Sequence, residues 1–158
     1  MRRAVALLEV MWDWRSMTSR AGYKETAPRW FRISPRNFTG RRLYSWLGHE
    51  GEYFDELLAT DACKELVSGP NERGTPDREW TANNLRDIPE YTLLIVCGRI
   101  AQATYDRRQI GCRIIEVPHP AARMWTREAL DLVRDQVQKG ETSVRVEIYK
   151  DMVTLIPL

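Results

Sequence analysis

The 158-residue chain is poor in the residues that announce a metal or cofactor. Its three cysteines, Cys63, Cys97 and Cys112, lie far apart with no C-x-x-C pair. That spacing argues against a zinc ribbon, an iron–sulfur cluster and a secreted disulfide framework, so no metal and no cofactor are expected. Each cysteine sits in an apolar stretch, the setting of a buried free thiol in a reducing cytoplasm. There is no P-loop and no G-x-G-x-x-G, which leaves a nucleotide-binding α/β protein without its usual phosphate cradle. No apolar run approaches the ~20 residues that span a bilayer, so no membrane partner is expected. The opening "MRRAVALLEV" has the basic and apolar character of a signal peptide, but "MWDWRS" follows without a small-residue cleavage site, and the segment reads as folded structure. Charge of one sign is also scarce: the formal net charge is +2, too little by itself to point to a polyanion.

What is present is ordinary globular composition, 43% hydrophobic and 29% charged. The length suits one compact domain over residues 1–158, expected to fold alone as a monomer. Arginine is heavily preferred over lysine and comes in groups: Arg29, Arg32, Arg36, Arg41 and Arg42, then Arg107 and Arg108, then Arg123 and Arg127. Its planar fork suits phosphate, so these groups are either backbone contacts for a nucleic acid or a plain solvated surface.

Four apolar runs suit strands buried on both faces: Ala4 to Val10, Glu56 to Ala62, Tyr91 to Cys97 and Cys112 to Val117. Helical patterns lie between them, after Gly40, from Pro76 with Thr75 as its cap, from Gly98, and from Thr126 to Gly140. The alternation predicts an α/β three-layer sandwich with a mostly parallel four-stranded central sheet flanked by helices. After Gly140, "TSVRVEIYKDMVTLIPL" reads as a C-terminal β-hairpin about Lys150 and Asp151. Ligands of open α/β sheets bind outside the carboxyl ends of the strands, so chemistry is sought just after each run.

The strand ends, taken together, resemble the uracil-DNA glycosylase superfamily. The segments that carry the resemblance are "VPHPAAR", a His-Pro loop between strand and helix; "LLIVCGRIAQAT", a strand entering a helix through glycine; "ATDACKE" with "PNERGTP"; and "RNFTGRRLYSWLG", a Thr-Gly segment leading into a helix. They span Asn37 to about Gln138. The family's glycine-rich loop with Asp, Asn or Glu after the first strand has no clean counterpart in "EVMWDWRSM", where Asp13 is the best-placed acid and Asn37 the second choice. Where uracil enzymes of the family carry asparagine at the end of the second strand, this chain has Asp61.

The resemblance implies a monofunctional DNA glycosylase with DNA as partner. Breaking an N-glycosidic bond leaves negative charge on the departing base and positive charge on the sugar. His119 would stabilise the leaving base, as an oxyanion hole does, while Asp13 or Asn37 would hold the attacking water; the bland alternative for His119 is a turn residue bonding backbone. Asp61 would read the base edge. Aspartate offers only acceptors where asparagine offers a donor and an acceptor, so the exchange points from uracil toward a cytosine-type base, unless Asp61 is a strand-end cap or ion-pair partner.

A duplex base must be flipped out before such chemistry. Arg123 stands where the family places its wedge. Ser68, Asn71 and Arg73 lie on a loop able to grip phosphate, Arg36, Arg41 and Arg42 are further DNA contacts, and Trp14 is the aromatic expected to stack on the base. Plain cytosine would be a self-destructive target, so a hypermodified cytosine, for example glucosylated, in phage DNA is the leading expectation, with antiviral defence as the role. The alternatives are a conventional uracil or deaminated-base repair glycosylase and a non-catalytic DNA-binding module of the same fold.

Overall fold

The computed structural model describes residues 2–9, 27–48, 51–67 and 73–158. The first strand, β1 (Arg3–Leu8), lies inside the sheet, with β3 (Glu56–Asp61) on one side and β4 (Leu93–Cys97) on the other, both parallel to it. Next to β4 comes β5 (Arg113–Val117), parallel again. These are the four runs expected from the sequence. All four read as continuous apolar stretches because both faces are covered. On one face Ala4, Ala6 and Leu8 pack under α1 (Phe38–Leu47) and α4 (Arg127–Lys139), through Leu43, Trp46, Val133 and Val137. On the other face Val5 and Leu7 meet Leu85 of α2 (Arg78–Asp87) and Ala101 of α3 (Arg99–Thr104).

The four-stranded expectation needs correction, because the sheet has seven strands in the order β2-β3-β1-β4-β5-β6-β7 and is partly antiparallel. The strand β2 (Phe31–Arg32) pairs antiparallel with β3; two residues are too few to leave a period in the sequence. The C-terminal strands β6 (Val144–Tyr149) and β7 (Met152–Pro157) do form the expected antiparallel hairpin, yet it continues the central sheet, since α4 returns the chain parallel to β5. The β5–β6 ladder is short, with only Ile115↔Val144 and Glu116↔Arg145 in register. Beyond that point the hairpin leaves β5 and runs past the carboxyl edge of the sheet.

Local chemistry accounts for the helix starts. Thr126 caps α4 as expected, its hydroxyl accepting the Ala129 N–H at 3.1 Å. The cap of α2 is Asp77 rather than Thr75, because its carboxylate reaches the Trp80 N–H at 2.9 Å while Pro76 is held in a bridge to Cys63. At α1 the Asn37 side chain accepts the Gly40 N–H at 2.6 Å, and Gly40 is required there: a Cβ would lie 1.8 Å from the Ser34 carbonyl oxygen. The third helix is shorter than its pattern suggested, ending at Thr104 before a separate 3-10 turn over Arg107–Gln109. One buried acid, Glu116 on β5, is fully matched: Arg145 Nε donates to one oxygen at 2.7 Å and the Tyr105 hydroxyl donates to the other.

Candidate functional site

From β1 the chain moves outward to β3, then crosses back to start β4 on β1's other side. The order therefore reverses between β1 and β4, and the crevice outside their carboxyl ends is where an open α/β sheet binds its ligand. The registers Leu8↔Asp61, Leu7↔Val96 and Cys97↔Val117 set Asp61 at one end of this edge and Val117 at the other. His119 follows Val117 by two residues. Three strand spacings, about 14 Å, separate the two strands that carry Asp61 and His119. A larger cleft of about 710 Å³ opens among Leu85, Tyr91, Ile110 and Cys112, at the amino ends of β4 and β5, away from this edge.

His119 is half-buried, and its loop is held from several sides. Its carbonyl oxygen accepts the Trp125 indole N–H and the Ala122 N–H, each at 2.9 Å. The next residue's carbonyl, Pro120, accepts from Arg42 at 3.0 Å, and the Arg42 guanidinium lies over the rings of Phe38 and Trp125. Gly98 closes the loop from β4: its φ of +89° favours glycine, and a Cβ there would come within 3.4 Å of the His119 Cβ. The imidazole itself is oriented by the Ala121 N–H, which donates to Nδ1 at 3.0 Å. With Nδ1 as acceptor, the neutral ring carries its proton on Nε2, and the residue lines a cleft. Burial holds the ring's pKa below its ordinary value, opposed by the negative charge of Glu9, so the neutral donor is the state favoured near pH 7.

Asp61 ends β3 at 1% exposure, and neither carboxylate oxygen has a hydrogen-bond partner among the described residues. Such a group is costly unless something pairs with it. Burial pushes its pKa up to about 7. The strand-end cap and ion-pair alternatives are unsupported among the described residues: the only hydrogen bond at Asp61 beyond the sheet is accepted by its backbone oxygen, from the Trp80 indole at 3.2 Å.

Between these two groups stands Glu9, the first residue beyond β1. It was hidden in the sequence because it continues an apolar run, and only the end of β1 at Leu8 exposes it as a strand-end residue. Its charge acts on both sides of the crevice, on His119 and, together with Asp61, on the buried Cys63 thiol, which desolvation pushes up to about 12. Its backbone carbonyl accepts the Cys63 N–H at 3.0 Å.

The other sequence candidates scatter. Asp13, Trp14, Ser68 and Asn71 lie outside the described residues. The Asn37 side-chain oxygen is engaged in the α1 cap. Arg41 is exposed and donates to the Arg36 carbonyl at 2.9 Å, Arg36 and Arg73 are exposed, and Arg42 is committed to the His119 loop. Arg123 is exposed on the same loop as His119, beside Met124. Among the described residues no cluster of three His, Cys, Asp or Glu side chains could hold a metal ion, and no helix is long and apolar enough to cross a membrane. Comparison with family models, curated proteins and solved structures finds no match for this chain.

Proposed function

We propose that this protein is a DNA glycosylase that flips out a modified pyrimidine, a hypermodified cytosine in phage DNA, and hydrolyses its N-glycosidic bond as a defence. The observation that carries the reading is that the carboxyl edge of one sheet carries both a buried carboxyl at Asp61 without a hydrogen-bond partner among the described residues and, on the loop after β5, the His119 imidazole, its Nδ1 accepting from the Ala121 N–H. Asp61 would grip the base edge, and His119 would donate to the pyrimidine oxygen on which charge develops as the base leaves. A neutral donor is suited to that task because it need not surrender a proton to stabilise the anion. Glu9 joins Asp13 as an acid able to hold the water and favour the cationic sugar, and it has the advantage of lying between the other two.

The raised pKa of Asp61 refines the choice of base. An ionised carboxylate accepts only, which suits the exocyclic amine of cytosine. A protonated carboxyl donates and accepts, as asparagine does, and pairs with either the cytosine or the uracil edge. Selectivity for an amino-bearing base is then expected above pH 7 and relaxed below it. The same property favours a second reading, a uracil or deaminated-base repair glycosylase.

The deciding experiment is an abasic-site assay over DNAs containing uracil, cytosine or glucosylated hydroxymethylcytosine. Abasic sites confined to the modified DNA, lost in His119→Ala, are the expected result. Cleavage of uracil DNA alone supports the repair reading, and intact DNA throughout removes glycosylase activity from consideration.

A further inference from the structure

Two clefts lie end to end on the α3 face of the sheet. The first, about 600 Å³, opens beside His119 where β6 parts from β5, and is lined by Arg99, Gln102, Met124 and Tyr149. The second, about 370 Å³, lies further along α3 and is lined by Arg78, Arg107 and Arg108. Gln102 and Arg145 line both, so the two form one groove leading away from the His119 loop.

The groove is basic by arrangement rather than by composition. Of its acids, Glu116 is matched by Arg145 and Tyr105, Asp106 holds Arg108 at 3.1 Å, and the more exposed Glu147 lies 3.9 Å from Arg145. Arg99 and Arg107 enter no ion pair among the described residues, whereas Arg78 donates to the Ala103 carbonyl at 3.0 Å and its charge also acts on Asp106. At the His119 end the wall is the projecting hairpin, where Tyr149 is 73% exposed, Met152, its cross-strand partner, is 71% exposed, and Lys150 lies 5.6 Å from the Tyr149 ring centre. Guanidinium groups along a channel, with an exposed aromatic ring at its mouth, are the two elements that hold a single nucleic-acid strand: cations follow the phosphates and the ring stacks on a base.

We infer that this groove takes the backbone of a single DNA strand, which Arg78, Arg99 and Arg107 grip through its phosphates while Tyr149 stacks on a base next to the His119 crevice. The inference deepens the glycosylase reading, on which its biological sense rests, by joining Arg107, grouped as a phosphate candidate in the sequence, with Arg78 and Arg99 along one path for the strand.

The test is fluorescence anisotropy of the whole protein with a labelled, unmodified oligothymidylate of about 12 nucleotides, a typical single-strand site size. Wild type should bind more tightly as salt falls. Arg107→Glu and Tyr149→Ala, both surface changes that spare the Glu116 pairs, should each weaken binding about tenfold, and Arg107→Glu should flatten the salt dependence by about one phosphate contact. Arg134→Glu, on α4 at the opposite face of the sheet, should bind as wild type. The inference is overturned by a wild type that ignores the oligonucleotide, by groove variants that bind normally, or by polyglutamate of equal length displacing the DNA as well as unlabelled oligonucleotide does. The two readings fail separately: strand binding lost with groove variants but no abasic sites anywhere removes the glycosylase, whereas excision by a protein whose Arg107→Glu variant binds normally removes the groove.

Discussion

At the scale of single residues, the pair Asp61 and His119 makes opposite pH predictions. Burial raises the Asp61 carboxyl to about 7 in the folded protein, so the unfolded chain ionises first as pH rises. The stabilising contribution of its protonated form is complete below the unfolded carboxyl's value and is lost as pH climbs toward 7. Over that window the loss is on the order of 4 kcal/mol. Asp61→Asn should therefore raise the melting temperature far more at pH 8 than at pH 4, and equal shifts at the two pH values would show that the carboxyl is not desolvated. His119 has its value lowered, so the neutral ring persists below pH 6.5 while the unfolded ring takes up its proton; its contribution to stability is complete above 6.5 and is lost as pH falls from there through the lowered value. The excision rate should stay flat through pH 6.5 and fall below it, and an acid limb at or above 6.5 would argue against a neutral donor. Both residues were legible in the sequence as residues at strand ends. Their states were not, because burial and the Ala121 N–H bond to Nδ1 arise only from the folded surroundings. Glu9 was missed for the converse reason, since periodicity cannot say where a buried strand stops.

Among elements, the His119 loop depends on parts contributed by α1, β4 and the entry to α4. Arg42→Ala removes the bond to the Pro120 carbonyl and the cover over Trp125; a hydrogen bond from a charged donor contributes about 1.5–3 kcal/mol, and the expected result is a lower excision rate with the fold retained by circular dichroism. Gly98→Ala forces an L residue into a positive φ with an extended ψ, at about 1–3 kcal/mol, and brings its Cβ against the His119 Cβ. Its rate loss should exceed that of Gly111→Ala, where an added Cβ meets nothing within 4 Å. Asn37 can be separated from catalysis by the same means. Asn37→Ala should cost about 1 kcal/mol of stability as a lost helix cap and leave the rate per folded molecule unchanged. A rate loss beyond that of Gly98→Ala would return Asn37 to the water-holding role. The caps at Thr126 and Gly140 were readable because they depend on neighbours in the chain, and the choice of Asp77 over Thr75 was not, because it turns on the Cys63–Pro76 bridge between distant segments.

For the whole molecule, the three-layer arrangement was legible because burial on both faces leaves continuous apolar runs, and a parallel sheet with helices on both faces follows from their alternation with helices. The strand order, the two-residue edge β2 and the groove along α3 were not, since each is decided by which distant strands pair and for how long. The shortness of the β5–β6 ladder has a consequence of its own. Beyond Glu116↔Arg145 the hairpin is a two-stranded ribbon, an arrangement of marginal stability by itself. Its amides should open as a separate cooperative unit, so that in native-state hydrogen exchange the protons near the hairpin turn are replaced well before those of β1 and β4, at denaturant concentrations where the sheet centre is still closed. Melting would then proceed from the C-terminal edge inward, and β1 and β4, deepest between the two edges, would be among the last strands to let go.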